Sequence, residues 1–339
     1  MSAGYKGQYI ACLEQHQDMM ATQRDLIELG MIMARDRAPV VIGAEDFKEQ
    51  ALDSLASVGR GLFSVTKWVG GKAIDGFVKG IGFAGNQLAK SFDSNDALIK
   101  SVLGKVNKLA DKEVEISAKK AALITAKGDP DTILHDMDTL IKVLEIHDKH
   151  TKDLQAFLDK ELVTLKKLKG VKKSEEIHNI IDEFEALKYP VMDLGNSMGD
   201  AHKSDVLPGG RYFVFSQKDG GAPTYSIAGD APEGEGATHT MSKSQISEIL
   251  NKLQKVNALH QRVKSSYENY LGFIKSWAEM VKGVDGNLSQ LDQVSKTVVG
   301  EAEKLMAGNM GALAFYSGFT PRVVGYTDKY IHGVLGVFA

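Results

Sequence analysis

The sequence predicts a mostly α-helical protein, an elongated multi-helix bundle with a small β-hairpin insertion. Apolar residues recur every three or four positions over most of the chain, which places them on one face of a helix. Only seven prolines interrupt the 339 residues, and the 34 glycines gather in a few places, which indicates long helices joined by glycine-rich turns. One convincing strand–turn–strand pattern accounts for the hairpin.

Composition narrows the classes of function. The content of 43% hydrophobic and 25% charged residues is typical of a globular protein that buries a core, not of a disordered chain. The formal net charge of −3 gives no reason to expect sequence-independent nucleic-acid binding by the chain as a whole, although a local basic patch is compatible with it. The single cysteine, Cys12, excludes an intramolecular disulfide, argues against structural zinc and suits a reducing cytoplasm.

No stretch is typical of a secretory signal or of a membrane-spanning helix. The N-terminus, MSAGYKGQYIACLEQHQDMM, lacks a basic region followed by an uninterrupted apolar stretch. The longest uncharged run, Leu305 to Pro321, is shorter than the roughly 20 residues that span a bilayer. It also contains Asn309 and Ser317, which makes it a poor candidate for a membrane span.

Residues 1–45 are predicted to be an N-terminal helical segment and a candidate for a cleaved propeptide. Tyr5 to Arg37 has a weak apolar face, interrupted by Gln17 and Arg24, which suits a detachable docking segment as well as a core element. The stretch that follows is Pro39-Val-Val-Ile-Gly-Ala-Glu-Asp46, in which a proline and three β-branched residues disfavour resuming a helix. We interpret it as an exposed joint.

A glycine-rich helical hairpin is predicted to open the second region, residues 46–204. Eight glycines fall between Gly59 and Gly85, although each glycine inside a helix costs about 1 kcal/mol relative to alanine. Close helix packing would offset that cost, and Gly76 and Gly80 have the spacing that permits it. A membrane-active element is the alternative interpretation, but lysines and an aspartate recur here too often for a membrane span.

The rest of this region is predicted to form three longer helices. A helix-starting pattern is clearest at Asp129-Pro130, an N-cap residue followed by a proline at the first helical position. The predicted helices are Ser94 to Ala126, Pro130 to about Lys169, and Ser174 to Pro190.

Residues 205–240 are predicted to be a β-hairpin insertion, or a joint between two helical regions. The two strands are Arg211 to Ser216 and Thr224 to Ala228, and the turn contains Asp-Gly-Gly. The last region, residues 241–339, begins with a capping-box pattern at Ser242 and Gln245. It is predicted to contain helices at Ile246 to Val281 and Leu288 to Met306, then an apolar, glycine-rich end, Gly308 to Ala339, that folds against the helices or a neighbouring subunit.

The best candidates for metal binding or acid–base chemistry are Glu145, His147 and His150, because residues three apart on a helix lie on neighbouring faces and two imidazoles can share a cation. The pattern is not HExxH, and the neighbouring Asp148 and Lys149 indicate a solvated helix face. Phosphate-binding GxxxxGK[ST] and nucleophile GxSxG patterns are absent. We therefore predict no catalytic residue, no metal and no cofactor.

The N-terminal segment ends inside the joint with the tripeptide Gly43-Ala44-Glu45. This tripeptide follows the pattern of a small residue, any residue and a glutamate. The same tripeptide pattern also occurs at Ser174-Glu-Glu176, Ala231-Pro-Glu233 and Ser266-Tyr-Glu268. The first and third of these lie in predicted helices, which resist proteases unless they unfold, and Pro232 constrains its own loop. Only the tripeptide in the joint combines a break between elements with a dispensable segment on one side.

A helical segment that ends at Gly-Ala-Glu, followed by a helical, cysteine-poor body without catalytic motifs, resembles the internal head proteins of phiKZ-like giant bacteriophages. The resemblance implies a propeptide that the phage prohead protease removes after a Ser/Ala/Gly-x-Glu motif. Gly43, Ala44 and Glu45 would then be the recognition residues, and Asp46 the new N-terminus. The remaining chain has a slightly negative net charge, whereas a protein that condenses DNA would need a positive one.

These observations favour a non-enzymatic structural or internal protein of a phage head, made in the host cytoplasm and packaged in the capsid. The implied partners are other virion head proteins and the prohead protease, with packaged DNA nearby but not specifically bound. The alternative is a membrane-active helical protein, pore-forming or ejected with the DNA, that inserts Gly59 to Gly85 or its apolar C-terminus into a bilayer. An enzyme is the third interpretation.

Overall fold

The computed structural model describes residues 95–106, 112–171, 175–217, 223–234, 237–288 and 296–338. The predicted helix at Tyr5 to Arg37, the joint at Pro39 to Asp46 and the glycine-rich hairpin lie outside these residues. The described helices are α1 (Asp96–Val106), α2 (Ala118–Ile124), α3 (Ile133–Gly170), α4 (Glu175–Glu185), α5 (Lys243–Leu288) and α6 (Lys296–Phe338). The strands are β1 (Lys112–Ile116), β2 (Asn196–Met198), β3 (Ala201–Lys203), β4 (Tyr212–Ser216), β5 (Thr224–Ala228) and β6 (Ala237–Met241).

The prediction of a mostly helical protein with a small β-hairpin insertion is confirmed. The hairpin is the β4–β5 pair, which is antiparallel and sets Phe213 opposite Ile227 and Phe215 opposite Tyr225. It is part of a four-stranded antiparallel sheet in the order β2-β3-β4-β5. Strands β2 and β3 were not predicted, because each has only three residues and neither shows an alternating apolar pattern.

The single helix predicted from Ser94 to Ala126 is wrong. Helix α1 ends at Val106, and β1 then pairs antiparallel with β6 in a second, two-stranded sheet. The segment Lys112–Ile116 reads KEVEI, in which charged and β-branched residues alternate with the period of a strand. Val114 and Ile116 are both buried, so this short alternation prevails over the longer helical pattern.

Two predicted helix starts are confirmed by their capping hydrogen bonds. The Asp129 carboxylate accepts from the backbone N–H of Asp131 at 2.9 Å, and Pro130 opens the 3-10 turn that leads into α3. At the start of α5, the backbone N–H of Gln245 donates to the Ser242 hydroxyl at 3.2 Å. The Ser242 backbone N–H donates in return to the Gln245 side chain at 2.9 Å, which completes the capping box.

The apolar C-terminus belongs to α6 and does not form a separate element after a helix ending at Met306. Pro321 lies inside this helix, where it lacks the N–H that would donate to the carbonyl of Ser317. Phe319, Tyr330 and Val334 are buried, so the segment packs against other elements of the chain. Over the described ranges no helix is both long and apolar enough to cross a membrane.

The chain divides into two compact units. Among the described residues, the first unit includes 155–189 and 271–318, and the second includes 95–154, 190–270 and 319–338. In the first unit, Leu158 and Leu165 of α3, Phe184 of α4 and Trp277 of α5 are buried. In the second, Phe319 of α6 packs against Phe213 of β4, with ring centroids 5.4 Å apart.

Replacing the cap residue tests whether the capping box stabilises α5. Ser242→Ala removes the acceptor for the Gln245 N–H, and we expect a loss of about 1 kcal/mol in the free energy of unfolding. Urea unfolding followed by circular dichroism should show a lower midpoint at an unchanged slope. Ser244→Ala, at an exposed position two residues later, is the matched control and should leave the midpoint nearly unchanged. Equal midpoints for both variants would contradict the role of the cap.

Candidate functional site

The predicted processing residues Gly43, Ala44, Glu45 and Asp46 lie outside the described residues. The structure describes all or part of each competing tripeptide. Glu176 lies in α4 and Ser266 to Glu268 lie in α5, as predicted. Ala231 to Glu233 lie in the loop between β5 and β6, directly before Gly234. A Cβ atom at Gly234 would stand 1.8 Å from the carbonyl oxygen of Ala118, so this loop packs closely against α2.

Three of the buried ionisable groups of α3 belong to two clusters, one in each unit. The histidine pair, His147 and His150, belongs to the second unit, and the Glu161 cluster, made of Glu161, Trp277 and Asn309, belongs to the first. Both histidines and the glutamate are buried. Burial of such groups is costly unless hydrogen bonds satisfy them, so the partners of each cluster decide what chemistry it can perform.

The histidine pair packs against the four-stranded sheet and α6. The Nε2 atom of His150 is 2.9 Å from the hydroxyl of Tyr225 on β5. The Nε2 atom of His147 is 3.4 Å from the hydroxyl of Thr320 on α6, and its ring stacks on Phe319 at a centroid distance of 5.5 Å. Aromatic rings and hydroxyls therefore occupy the positions around the two imidazoles.

The prediction that this part of α3 is a solvated face is wrong for His147, Asp148 and His150, all of which are buried. The buried Asp148 carboxylate accepts hydrogen bonds from Lys152 at 2.8 Å and from the Ser266 hydroxyl at 3.2 Å, which offset the cost of its burial. Glu145 does not join the pair, since its carboxylate faces Lys255 of α5 at 3.3 Å. The described part of the chain contains no group of three or more metal-ligating side chains that could hold a metal ion.

Burial determines the protonation of the histidine pair. The pKa of His147 is lowered to about 3, mainly by loss of hydration and also by the neighbouring His150, against the opposing effect of Asp148. Burial likewise lowers the pKa of His150 to about 4. Both imidazoles are neutral at pH 7, so each links α3 to its neighbours as an uncharged hydrogen-bonding group.

The Glu161 cluster joins three helices of the first unit. The Nε1–H of Trp277 on α5 donates to one carboxyl oxygen of Glu161 at 3.1 Å, and the Asn309 amide on α6 donates to the other. Burial raises the pKa of Glu161 to about 8, and the two hydrogen bonds oppose that shift. The carboxyl group is therefore mainly protonated at pH 7.

Sequence reasoning missed Glu161, although a signal was present. Glu161 follows Leu158 by three residues and precedes Leu165 by four, so it lies on the apolar face of α3. A glutamate at such a position is either buried or interrupts the apolar face. Its partners Trp277 and Asn309 are more than 100 residues away in sequence, and no local pattern identifies them.

The Glu161 cluster should make stability fall as the pH rises. Because the folded-state pKa is raised, the stabilising protonated form is fully present below pH 4.5 and is lost as the pH rises toward 8. Glu161→Gln removes this titration, and the Asn309 amide can rotate to pair with the new NH₂ group. At pH 8 we expect the variant to be more stable than wild type by on the order of 3 kcal/mol, with the difference shrinking toward pH 4.5.

Urea midpoints at pH 4.5 and pH 8 measure this difference. Glu248→Gln, at an exposed position of α5, is the matched control and should follow the wild type at both pH values. A Glu161→Gln variant that is equally displaced from wild type at both pH values would show that Glu161 does not titrate between them.

The histidine pair should have the opposite dependence on pH. Its folded-state pKa values are lowered, so its stabilisation is complete above pH 6.5 and is lost as the pH falls toward 4 and then 3. His150→Gln keeps a hydrogen-bonding group for Tyr225 but cannot titrate. Between pH 6.5 and 4.5 we expect the variant to lose less stability than wild type, by up to about 1.4 kcal/mol per pH unit.

Urea unfolding across that range measures the slope, and His178→Gln, at an exposed position of α4, is the control. Parallel profiles for wild type and His150→Gln would rule out titration of His150 as a source of acid sensitivity.

Comparison with known proteins identifies the family. Residues 16–334 match the model of the phiKZ-like phage internal head proteins. Comparison with curated proteins and with solved structures gave no match. The family match covers nearly the whole chain, including every described helix apart from the last residues of α6, and agrees with the resemblance found in the sequence. The chain belongs to the phiKZ-like phage internal head proteins.

Proposed function

We propose that this protein is a non-enzymatic structural component packaged inside a phage head, after synthesis in the host cytoplasm and removal of its first 45 residues. The family match over residues 16–334 is the observation that supports a role in the head. The expected partners are other virion head proteins, the prohead protease and, by proximity, the packaged DNA.

The environment of the buried polar groups supports a structural role. The histidine pair contacts aromatic rings and hydroxyls from the sheet and α6, and Glu161 is held by Trp277 and Asn309. Each group forms a hydrogen bond between two elements of the fold. An acid–base catalyst would instead need a proton that a substrate can reach. These groups therefore act as internal links between α3 and the strand and helices packed against it.

The proposed cut lies between Glu45 and Asp46. The family match begins at residue 16, so residues 16–45 of the segment before the cut are included in it together with the body of the protein. Two of the competing tripeptides are poorer substrates, since Glu176 and Ser266 to Glu268 lie in helices, and in the third Pro232 constrains its own loop. Proteases bind extended chains, and helices must unfold locally before they are cut. This comparison favours Gly43-Ala44-Glu45 as the recognition sequence.

Mass spectrometry of the N-terminus tests the processing step. The protein from mature particles should begin at Asp46, whereas freshly synthesised protein should retain the N-terminal segment. Glu45→Ala in the phage should leave the segment attached, because the protease loses its recognition carboxylate. Glu233→Ala, in the loop between β5 and β6, is the matched control and should be processed normally. Intact Met1 or Ser2 in infectious particles would contradict the proposal.

A further inference from the structure

We propose that the loop between β5 and β6 contains a cryptic cleavage site for a glutamate-specific endoprotease, which is cut only when the loop is released from the surface beneath it. We call residues 229–234, all in the second unit, the strap. Cleavage would add water across the peptide bond between Glu233 and Gly234, leaving a carboxylate on Glu233 and an amino group on Gly234. The relevance of this site to the prohead protease rests on the proposed function, whereas the packing of the strap does not.

The side chains of the strap are accessible to a protease. Ala231 and Glu233 are exposed, and Pro232 between them is half-buried. The strap belongs to no helix or strand, and exposed loops of small and polar residues are preferred sites of cleavage in folded proteins. Judged by its side chains alone, the strap would be cut in the folded protein.

The backbone of the strap, in contrast, packs against Gly128. Gly128 is buried, and the carbonyl oxygen of Glu233 occupies the space that a side chain at Gly128 would fill. A Cβ atom at Gly128 would also stand 2.8 Å from the Cα atom of Gly234. Both sides of the bond between Glu233 and Gly234 therefore lie against the protein, where a protease cannot enclose them.

The beginning of the strap is held at Gly210. The carbonyl oxygen of Asp230 occupies the space that a side chain at Gly210 would fill, and the Cδ atom of Pro232 would stand 3.0 Å from a Cβ atom there. The Arg211 guanidinium donates to the carbonyl oxygen of Gly229. The strap is therefore held at both ends, with the glutamate between them facing solvent.

The turn beneath the strap is fixed to its neighbours. The backbone N–H of Gly209 donates to the carbonyl oxygen of Thr125, just after α2, at 2.9 Å. The Tyr326 hydroxyl of α6 donates to the carbonyl oxygen of Pro208 at 2.8 Å. Since this surface is tied to two helices, a protease gains access when the strap opens locally. The rate of cleavage after Glu233 then follows the fraction of molecules in which the strap is open.

Two glycines beneath the strap make its closure testable without changing the cleavage sequence. Gly128 and Gly210 have φ angles of 82° and 69°, which side chains disfavour, and neither has room for a Cβ atom. Alanine at either position should push the strap away. Gly195 has a φ angle of 96°, but no described atom lies within 4 Å of its Cβ position. Gly195→Ala therefore adds backbone strain without touching the strap and is the matched control.

The test is limited proteolysis of the full-length chain with a glutamyl endopeptidase under native conditions. Mass spectrometry follows the fragment that begins at Gly234, whose mass separates this cut from cuts after other glutamates, including Glu235. We expect Gly128→Ala and Gly210→Ala to release this fragment at least about tenfold faster than wild type. Gly195→Ala should behave as wild type.

Addition of Glu233→Gln to Gly210→Ala should abolish the fragment, because the protease loses its recognition carboxylate. Equal release from wild type and Gly210→Ala would show that the strap gives no protection and would overturn the proposal. Equal release from Gly195→Ala and Gly210→Ala would also overturn it, since strain without contact would then be sufficient.

Urea unfolding establishes whether each variant keeps a cooperative transition. Arg211→Ala adds no atoms and removes the donor to Gly229, so it provides the same comparison if a glycine variant does not fold. It should also release the fragment faster than wild type, and an unchanged rate would contradict the proposal. The assay uses purified protein and a protease from outside the phage. Its result is therefore independent of whether mature particles contain a chain that begins at Asp46.

Discussion

The fold depends on hydrogen bonds that allow polar side chains to occupy the buried face of α3. An unsatisfied buried polar group costs roughly 1 to 3 kcal/mol, and a buried charge costs more. Asp148 avoids that cost through Lys152 and Ser266, whereas Glu161 is protonated and held by Trp277 and Asn309. One helix thus uses both available solutions, a paired charge in the second unit and a neutralised acid in the first. Each solution fixes which neighbour must lie opposite α3.

Sequence patterns predicted those parts of the fold that local chemistry determines. Asp129 and Ser242 start helices because the capping residue and its partner lie within three positions of each other. The β4–β5 hairpin is equally local, since its strands are joined by one short turn. Strand β1 was missed because its partner β6 is more than 100 residues away, and without that partner KEVEI looks like part of a helix.

The misjudged histidines show why a candidate site is harder to predict than a helix. Asp148, Lys149, Lys152 and Asp153 give the sequence around His147 and His150 the composition of a solvated face. Yet His147 follows Leu144 by three residues, and on α3 that spacing keeps it on the apolar side. Its burial required Phe319 and Thr320, which come from α6 and leave no trace in the local sequence. The sequence was sufficient to place His147 on the apolar face of α3, but not to identify the residues that pack against it.

Local charge and net charge lead to different conclusions about partners. The net charge of −3 argues against an electrostatic role for the chain as a whole, but a field at the surface decays within a Debye length of about 8 to 10 Å. The charge at the surface of α3 is therefore set by nearby residues, and near its C-terminal end the exposed Lys160 stands beside the exposed Asp159. The burial and protonation of Glu161 also affect the local charge of α3. A glutamate at that position on an exposed face would place a negative charge beside Lys160, whereas burial removes it from the surface and uses it to hold α5 and α6. The same residue therefore contributes to the packing of the first unit and adds little charge to the exposed side of α3.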